Sequence, residues 1–207
     1  MVARRSSGHR GPVGGARAAA VLALAAAAAL AACSPAATSD RHPTGAAPQA
    51  TAPPEAIKPA VRWKHGIPAG YAISGEPPGP GVVELGNAEN GCLLQLTRAT
   101  LPAAVGDDRT ATEEALDLST RMLDGEEIDR RDATLTTATG RMAAREVVVR
   151  SAVGTQAADL RMVLRSAAVD HALVGLVHIC PVGSVDEAAW ATFVDSATLL
   201  GATATEF

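Results

Sequence analysis

From residue 61 onward the chain changes hydrophobic period several times. Val82 to Gly86 and Cys92 to Thr97 are short, β-prone apolar runs. Asn87 to Gly91 separates them, and its Asn90-Gly91 pair predicts a tight turn. The glycine- and proline-rich stretch from Gly75 to Gly81 breaks the chain into a loop before the first of them. Thr110 and Glu113 have the spacing of a capping box, followed by Ala111, Ala115, Leu118 and Met122 on one helical face, with Gly125 as the stop. Four runs at 133–139, 141–150, 157–168 and 171–180 then read as strands. Leu160, Met162 and Leu164 alternate with Asp159, Arg161 and Arg165, which predicts a half-exposed antiparallel strand. From Ala172 to Cys180 both alternating sets are mostly apolar, as in a central strand covered on both faces. A second capping pattern, Ser184 to Glu187, starts a helix whose face is Val185, Ala189, Phe193 and Leu200, stopped by Gly201. This order predicts one α+β domain over 61–207, a single antiparallel β-sheet with two main helices packed on it.

Upstream the pattern is different. Ala18 to Leu30 is an unbroken run of 13 Ala, Val and Leu residues, preceded by Arg4, Arg5, Arg10 and Arg17 with no acidic residue among them. A membrane-spanning helix needs about 20 apolar residues, so the run reads as an export signal over residues 1–32. It ends in Leu30-Ala31-Ala32-Cys33. This resembles the lipobox of bacterial lipoproteins at every position. The resemblance implies cleavage before Cys33, a diacylglycerol on its thiol, and an extracytoplasmic protein anchored to the cell membrane through lipid. An ordinary secretory signal cut near Ala32 is the alternative. The arginine pair at positions 4 and 5 also leaves general and twin-arginine export open. Residues 33–60, rich in Pro, Ala and Thr with neither helical nor strand periodicity, read as a disordered tether. Its reach is about 30 Å as a coil and about 80 Å as polyproline II.

Composition matters once the signal is set aside. The whole chain carries 18 basic and 22 acidic residues; without the four signal arginines the count is 14 against 22, a formal −8. That charge is repelled by phosphate backbones and anionic headgroups, so nucleic acid is excluded as a partner and the lipid must do the anchoring. The order of elements, with Ile67-Pro68-Ala69-Gly70-Tyr71 ahead of the first strands, resembles the Mog1/PsbP-like lipoproteins of actinomycetes. That resemblance implies an α+β fold and non-enzymatic binding or assembly work.

Candidate chemistry is sparse. With Cys33 lipidated, Cys92 and Cys180 are the remaining thiols; in an oxidising compartment they are expected to pair as a structural disulfide rather than stay as two buried thiols. His171 and His178 lie seven residues apart, on opposite faces of a regular strand, so they are expected to serve as a strand-end residue and a core or edge residue, not as shared metal ligands. His42 falls in the tether and His65 at the entrance to the domain. There is no HExxH, acidic calcium loop, nucleophile elbow or phosphate loop, so no catalytic residue, cofactor or metal is expected. The charge run from Gly125 to Asp132 reads as a solvated loop, with a protein-docking surface or an acid pair as the functional alternative. The scarce aromatics Trp63, Tyr71, Trp190 and Phe193 are expected mainly in the core; Trp190, offset from its helix's apolar stripe and so expected to be partly exposed, is the one candidate contact residue. The expectation is a lipid-anchored, non-catalytic envelope module that binds an unknown protein. Alternatives are a carrier or sensor of a small apolar ligand, and an enzyme with scattered catalytic residues.

Overall fold

The computed structural model describes residues 60–75, 77–101, 106–153 and 156–207. The signal segment, Cys33 and the tether lie outside the described residues. Strands β1 (Arg62–Lys64), β2 (Ala72–Ile73), β3 (Val82–Gly86) and β4 (Leu93–Thr100) lead into helix α1 (Asp108–Met122). Strands β5 (Glu126–Thr137), β6 (Gly140–Val153), β7 (Gln156–Ala167) and β8 (Ala172–Pro181) follow as successive hairpins. Helix α2 (Glu187–Ser196) and strand β9 (Thr198–Leu200) complete the domain. No helix among the described residues is long and apolar enough to cross a bilayer.

The expected single antiparallel sheet is corrected. All nine strands form one mixed sheet in the order β1-β9-β5-β6-β7-β8-β4-β3-β2, and β9 runs parallel to β5, with Thr136 opposite Thr198 and Thr137 opposite Leu199. The cause is the last connection. After β8 the chain does not turn back as another hairpin; α2 carries it past the positions of β7 and β6 to the outer side of β5. Strand β9 runs opposite to β8, and because three antiparallel pairings separate β8 from β5, that direction is also the direction of β5. The sheet curls into a half-barrel. Trp63 on β1 reports that curl, because its indole N–H donates to the Thr97 carbonyl of β4 at 2.9 Å although five strands separate β1 from β4 in the sheet order.

Alternation along β8 sends its side chains to two cores. Ala172, Val174, Leu176 and Cys180 join Leu94, Leu96, Trp190 and Phe193 on the α2 side. Leu173, Val177 and Ile179 join Leu116, Val147, Val149, Leu160, Met162 and Leu164 on the α1 side. The central position expected for this strand is therefore observed: every residue from Ala172 to Cys180 is buried. Gly175 permits the close packing there, since a Cβ would stand 2.9 Å from the Val163 carbonyl oxygen and 2.3 Å from Leu164 Cδ2.

Both helices begin with different chemistry from that expected. Asp107 caps α1, its carboxylate accepting the Thr110 N–H at 2.9 Å, so the helix starts ahead of the Thr110–Glu113 box. Glu113 is instead bonded to Arg130 and Arg145. Asp186 caps α2 through the Ala189 N–H at 2.9 Å, and Val185 and Leu200 lie outside the helix. The Gly125–Asp132 run is not a loop. Residues from Glu126 onward form the first half of β5, where Arg130 binds Glu113, Asp117 and Glu127, and Arg131 binds Glu146. A bulge at Ile128, between the Glu127 and Asp129 registers, breaks the alternation that would have marked a strand. On β7, Arg165 is fully buried rather than half-exposed, because the C-terminal residues cover it.

Candidate functional site

The buried polar centre of the domain forms where the N-terminal end of β4 meets the C-terminal end of β8. Leu93 pairs with Ile179, so the preceding residue of β4 and the following residue of β8, Cys92 and Cys180, are direct cross-strand neighbours with Cα atoms 4.3 Å apart. They form a disulfide, as the sequence led us to expect. A turn aligns Cys92: Gly91, at φ +74°, donates to the Asn87 carbonyl at 2.9 Å, and the Asn90 side-chain oxygen accepts the Cys92 N–H at 2.9 Å. The left-handed backbone at Gly91 explains why glycine follows Asn90 there.

His178 lies two residues before Cys180 and therefore on the same face of β8. Its Nε2 is 3.0 Å from Cys180 Sγ. Its ring stacks on Trp190 with centroids 5.5 Å apart and planes 2° from parallel. Trp190 in turn packs on Phe193 and under the Arg161 guanidinium, whose carbon is 5.8 Å from the ring centroid. Arg161 stands opposite His178 in the β7–β8 register and is held by Glu146 at 2.9 Å and Glu187 at 2.7 Å. Its offset from the helix stripe led us to expect Trp190 to be partly exposed, as a candidate contact residue. The structure buries it, 6% exposed, because the turn of α2 that carries it lies directly over His178. His171 sits apart, in the left-handed region at φ +49° within the β7–β8 turn.

Electrostatics keep this centre neutral. Burial pushes the His178 pKa down to about 4, and the nearby Arg161 charge pushes the same way against Glu187 and Asp186. A folded value below the usual 6.5 means that the unfolded chain takes up the proton first on acidification. The contribution of neutral His178 is therefore complete above about pH 6.5 and is lost as pH falls from there toward 4. The shift corresponds to about 3 kcal/mol. Urea unfolding of the oxidised protein from pH 7.5 to 4.5 should show stability falling more steeply than in His178→Asn; equal slopes would contradict the assignment.

A second buried charge lies elsewhere. Arg165 is 0% exposed; its Nη2 donates to Asp108 at 2.7 Å, to Thr205 Oγ1 at 2.9 Å and to the Glu206 carbonyl at 3.0 Å. Its guanidinium lies 4.4 Å from the centre of the Phe207 ring. This centre escaped the sequence reading, because strand alternation alone put Arg165 in solvent.

These placements define what the sites can do. The first joins a disulfide, an imidazole and an indole in one sealed stack, a rigid core element with latent thiolate and imidazole donors. The second is a charge clamp fastening the C-terminal residues to the start of α1. No protein-family model matches the chain, and no curated protein matches it. Among solved structures it is similar to LpqN, described as involved in cell envelope biogenesis of Mycobacterium tuberculosis. The likeness covers 70% of this chain and 87% of that one at 10% identity, with a TM-score of 0.48, a level that carries no argument about function.

Proposed function

We propose that this is an exported protein, lipid-anchored at Cys33 on the outer side of the cell membrane, that serves as a non-catalytic binding module for a partner in the cell envelope. The observation that carries the reading is Leu30-Ala31-Ala32-Cys33 directly after four arginines and a 13-residue apolar run. Two acyl chains hold a protein stably where one does so only marginally, so lipidation at this position suffices as an anchor. The Cys92–Cys180 disulfide supports an oxidising compartment. Enclosure of His178, 2% exposed beneath Trp190 in the oxidised domain, supports binding over catalysis, since its imidazole is closed to an organic substrate. The tether supplies the distance from the bilayer that a docking domain of formal charge −8 needs above anionic headgroups.

Cys33→Ala is expected to abolish metabolic labelling with a fatty acid and to release the protein from the lipid-bearing membrane form. Continued labelling would refute the anchor. Crosslinking in the native envelope should yield a discrete protein adduct, whereas turnover of envelope esters, peptides or glycans by the purified protein would overturn the non-catalytic part.

A further inference from the structure

We propose that Cys92, Cys180 and His178 form a binding site for one zinc-type cation when the two cysteines are reduced, and that the disulfide closes this site. The three donors converge without any rearrangement of the sheet. Cys92 Sγ, Cys180 Sγ and a ring nitrogen of His178 all lie within 4.8 Å of one another, and all three residues are buried. A tetrahedral zinc centre, with Zn–S near 2.3 Å and Zn–N near 2.0 Å, places its ligand atoms about 3.4–3.8 Å apart, so reduction has only to part the two bonded sulfurs and let His178 Nε2 draw back slightly from its 3.0 Å approach to Cys180 Sγ.

The support around the donors has the right chemistry too. His178 and Cys180 share one face of β8, and Cys92 enters from the neighbouring strand, so the three are fixed by the register Leu93–Ile179 and not by a mobile loop. The stack on Trp190 holds the imidazole plane with Nε2 directed at Cys180 Sγ, the orienting part that surrounding residues play at metal centres. A fourth donor is at hand. The Ser184 carbonyl oxygen, in the segment between β8 and α2, is 3.2 Å from Cys92 Sγ. Two thiolates, one imidazole and one oxygen suit zinc in softness and in number, and do not suit calcium or magnesium.

The exchange balances. A dithiol reductant gives two electrons and two protons to the disulfide, yielding two cysteine thiols and its own cyclic disulfide. Cation binding then releases the two thiol protons as both cysteines ligate as thiolates. A disulfide oxidant reverses the sequence: it takes two electrons from the thiolates, re-forms the Cys92–Cys180 bond and frees the cation. Metal occupancy would thus follow the redox state of this one pair.

The test uses the full chain carrying Cys33→Ala, in which Cys92 and Cys180 are the only thiols. After anaerobic reduction with a phosphine, it is titrated with Co²⁺ and then with Zn²⁺. The expected result is a 1:1 complex with tetrahedral visible bands and thiolate-to-cobalt charge transfer, bleached by zinc, and none of this in the oxidised protein. Cys92→Ser should abolish the charge-transfer band, and His178→Asn should weaken cobalt binding at least tenfold. X-ray absorption of the zinc form should show two sulfurs and one imidazole, which decides the matter where His178→Asn does not fold. Equal cobalt binding by oxidised and reduced protein, His178→Asn as tight as its parent, or a zinc shell without imidazole would each overturn the proposal. A reduced chain whose circular dichroism stays unfolded with and without cobalt would overturn it as well.

Discussion

Replacing Asp108 by alanine is expected to lower the free energy of unfolding by about 3–5 kcal/mol, the usual loss when one partner of a buried ion pair is removed. Asp108 is the first residue of α1, and one of its carboxylate oxygens accepts from Arg165 Nη2 at 2.7 Å. The other accepts the Ala168 N–H at 2.9 Å, so a single side chain ties α1, β7 and the turn after β7 together. Without it the guanidinium stays in a fully buried position with Thr205 Oγ1 and the Glu206 carbonyl as its hydrogen-bond acceptors, while its Nε and Nη1 have no hydrogen-bond partner among the described residues. Burial already pulls the Arg165 pKa down, and the Asp108 charge and its hydrogen bond oppose that pull, with the Glu206 charge adding less. The loss should be smaller in the double variant Asp108→Ala/Arg165→Met, because exchanging a buried pair for apolar side chains is often close to neutral. Urea unfolding of both variants checks this; a single variant within about 0.5 kcal/mol of the parent, the range of ordinary surface substitutions, would show that the pair is not the clamp described.

Hydrophobic period revealed those parts of the fold that settle their own environment. Strand β8 was legible because Leu173, Val174, Leu176, Val177 and Ile179 are apolar on both faces, and a strand of that kind has to lie in the middle of a covered sheet. The Asn90–Gly91 turn was legible because its geometry is local. Pairing beyond the next hairpin was not. Strand β9 is three residues, Thr198 to Leu200, and its partners in β5 lie 62 residues earlier in the chain (Thr136 for Thr198, Thr137 for Leu199), so nothing in Thr-Leu-Leu reveals a parallel strand. The start of β5 was hidden differently. Glu126, Glu127, Asp129, Arg130 and Arg131 look like a solvated loop until Glu113 and Asp117 of α1 and Glu146 of β6 are present to pair with the arginines.

The candidate site divides along the same line. Two cysteines in an exported chain predict a bond from compartment chemistry alone, and the register of β4 on β8 supplies the proximity. The part played by His178 depends on which helix covers its strand. That helix brings Trp190, and only the folded chain puts the indole over the imidazole, sealing both from solvent. Trp190 looked offset from the α2 stripe because the stripe was drawn through Val185 and Leu200, which do not belong to the helix. The true buried set is Ala189, Trp190 and Phe193.

Loss of the disulfide, by reduction or by Cys92→Ala together with Cys180→Ala, is expected to cost about 4–5 kcal/mol on the chain-entropy model and about 2–4 by the range usually measured. The bond spans a sequence separation of 88 residues and joins β4 to β8 at the end of their ladder farthest from Thr100 and Ala172. Its effect falls mainly on the unfolded chain, which is freed from a closed loop containing α1, β5, β6 and β7. In the native state the pairs from Leu93–Ile179 to Thr100–Ala172 remain, so the reduced protein should keep its sheet while unfolding at lower urea. The slope of the transition should steepen, because an unbridged denatured chain exposes more surface than a looped one. That change in slope separates two origins of the loss. A drop in midpoint with an unaltered slope would place the effect in native packing around Cys180, His178 and Trp190 instead of in loop closure. Comparing the reduced parent with the double alanine variant under the same conditions measures the packing part directly, since both lack the bond and only one keeps the sulfurs against the imidazole.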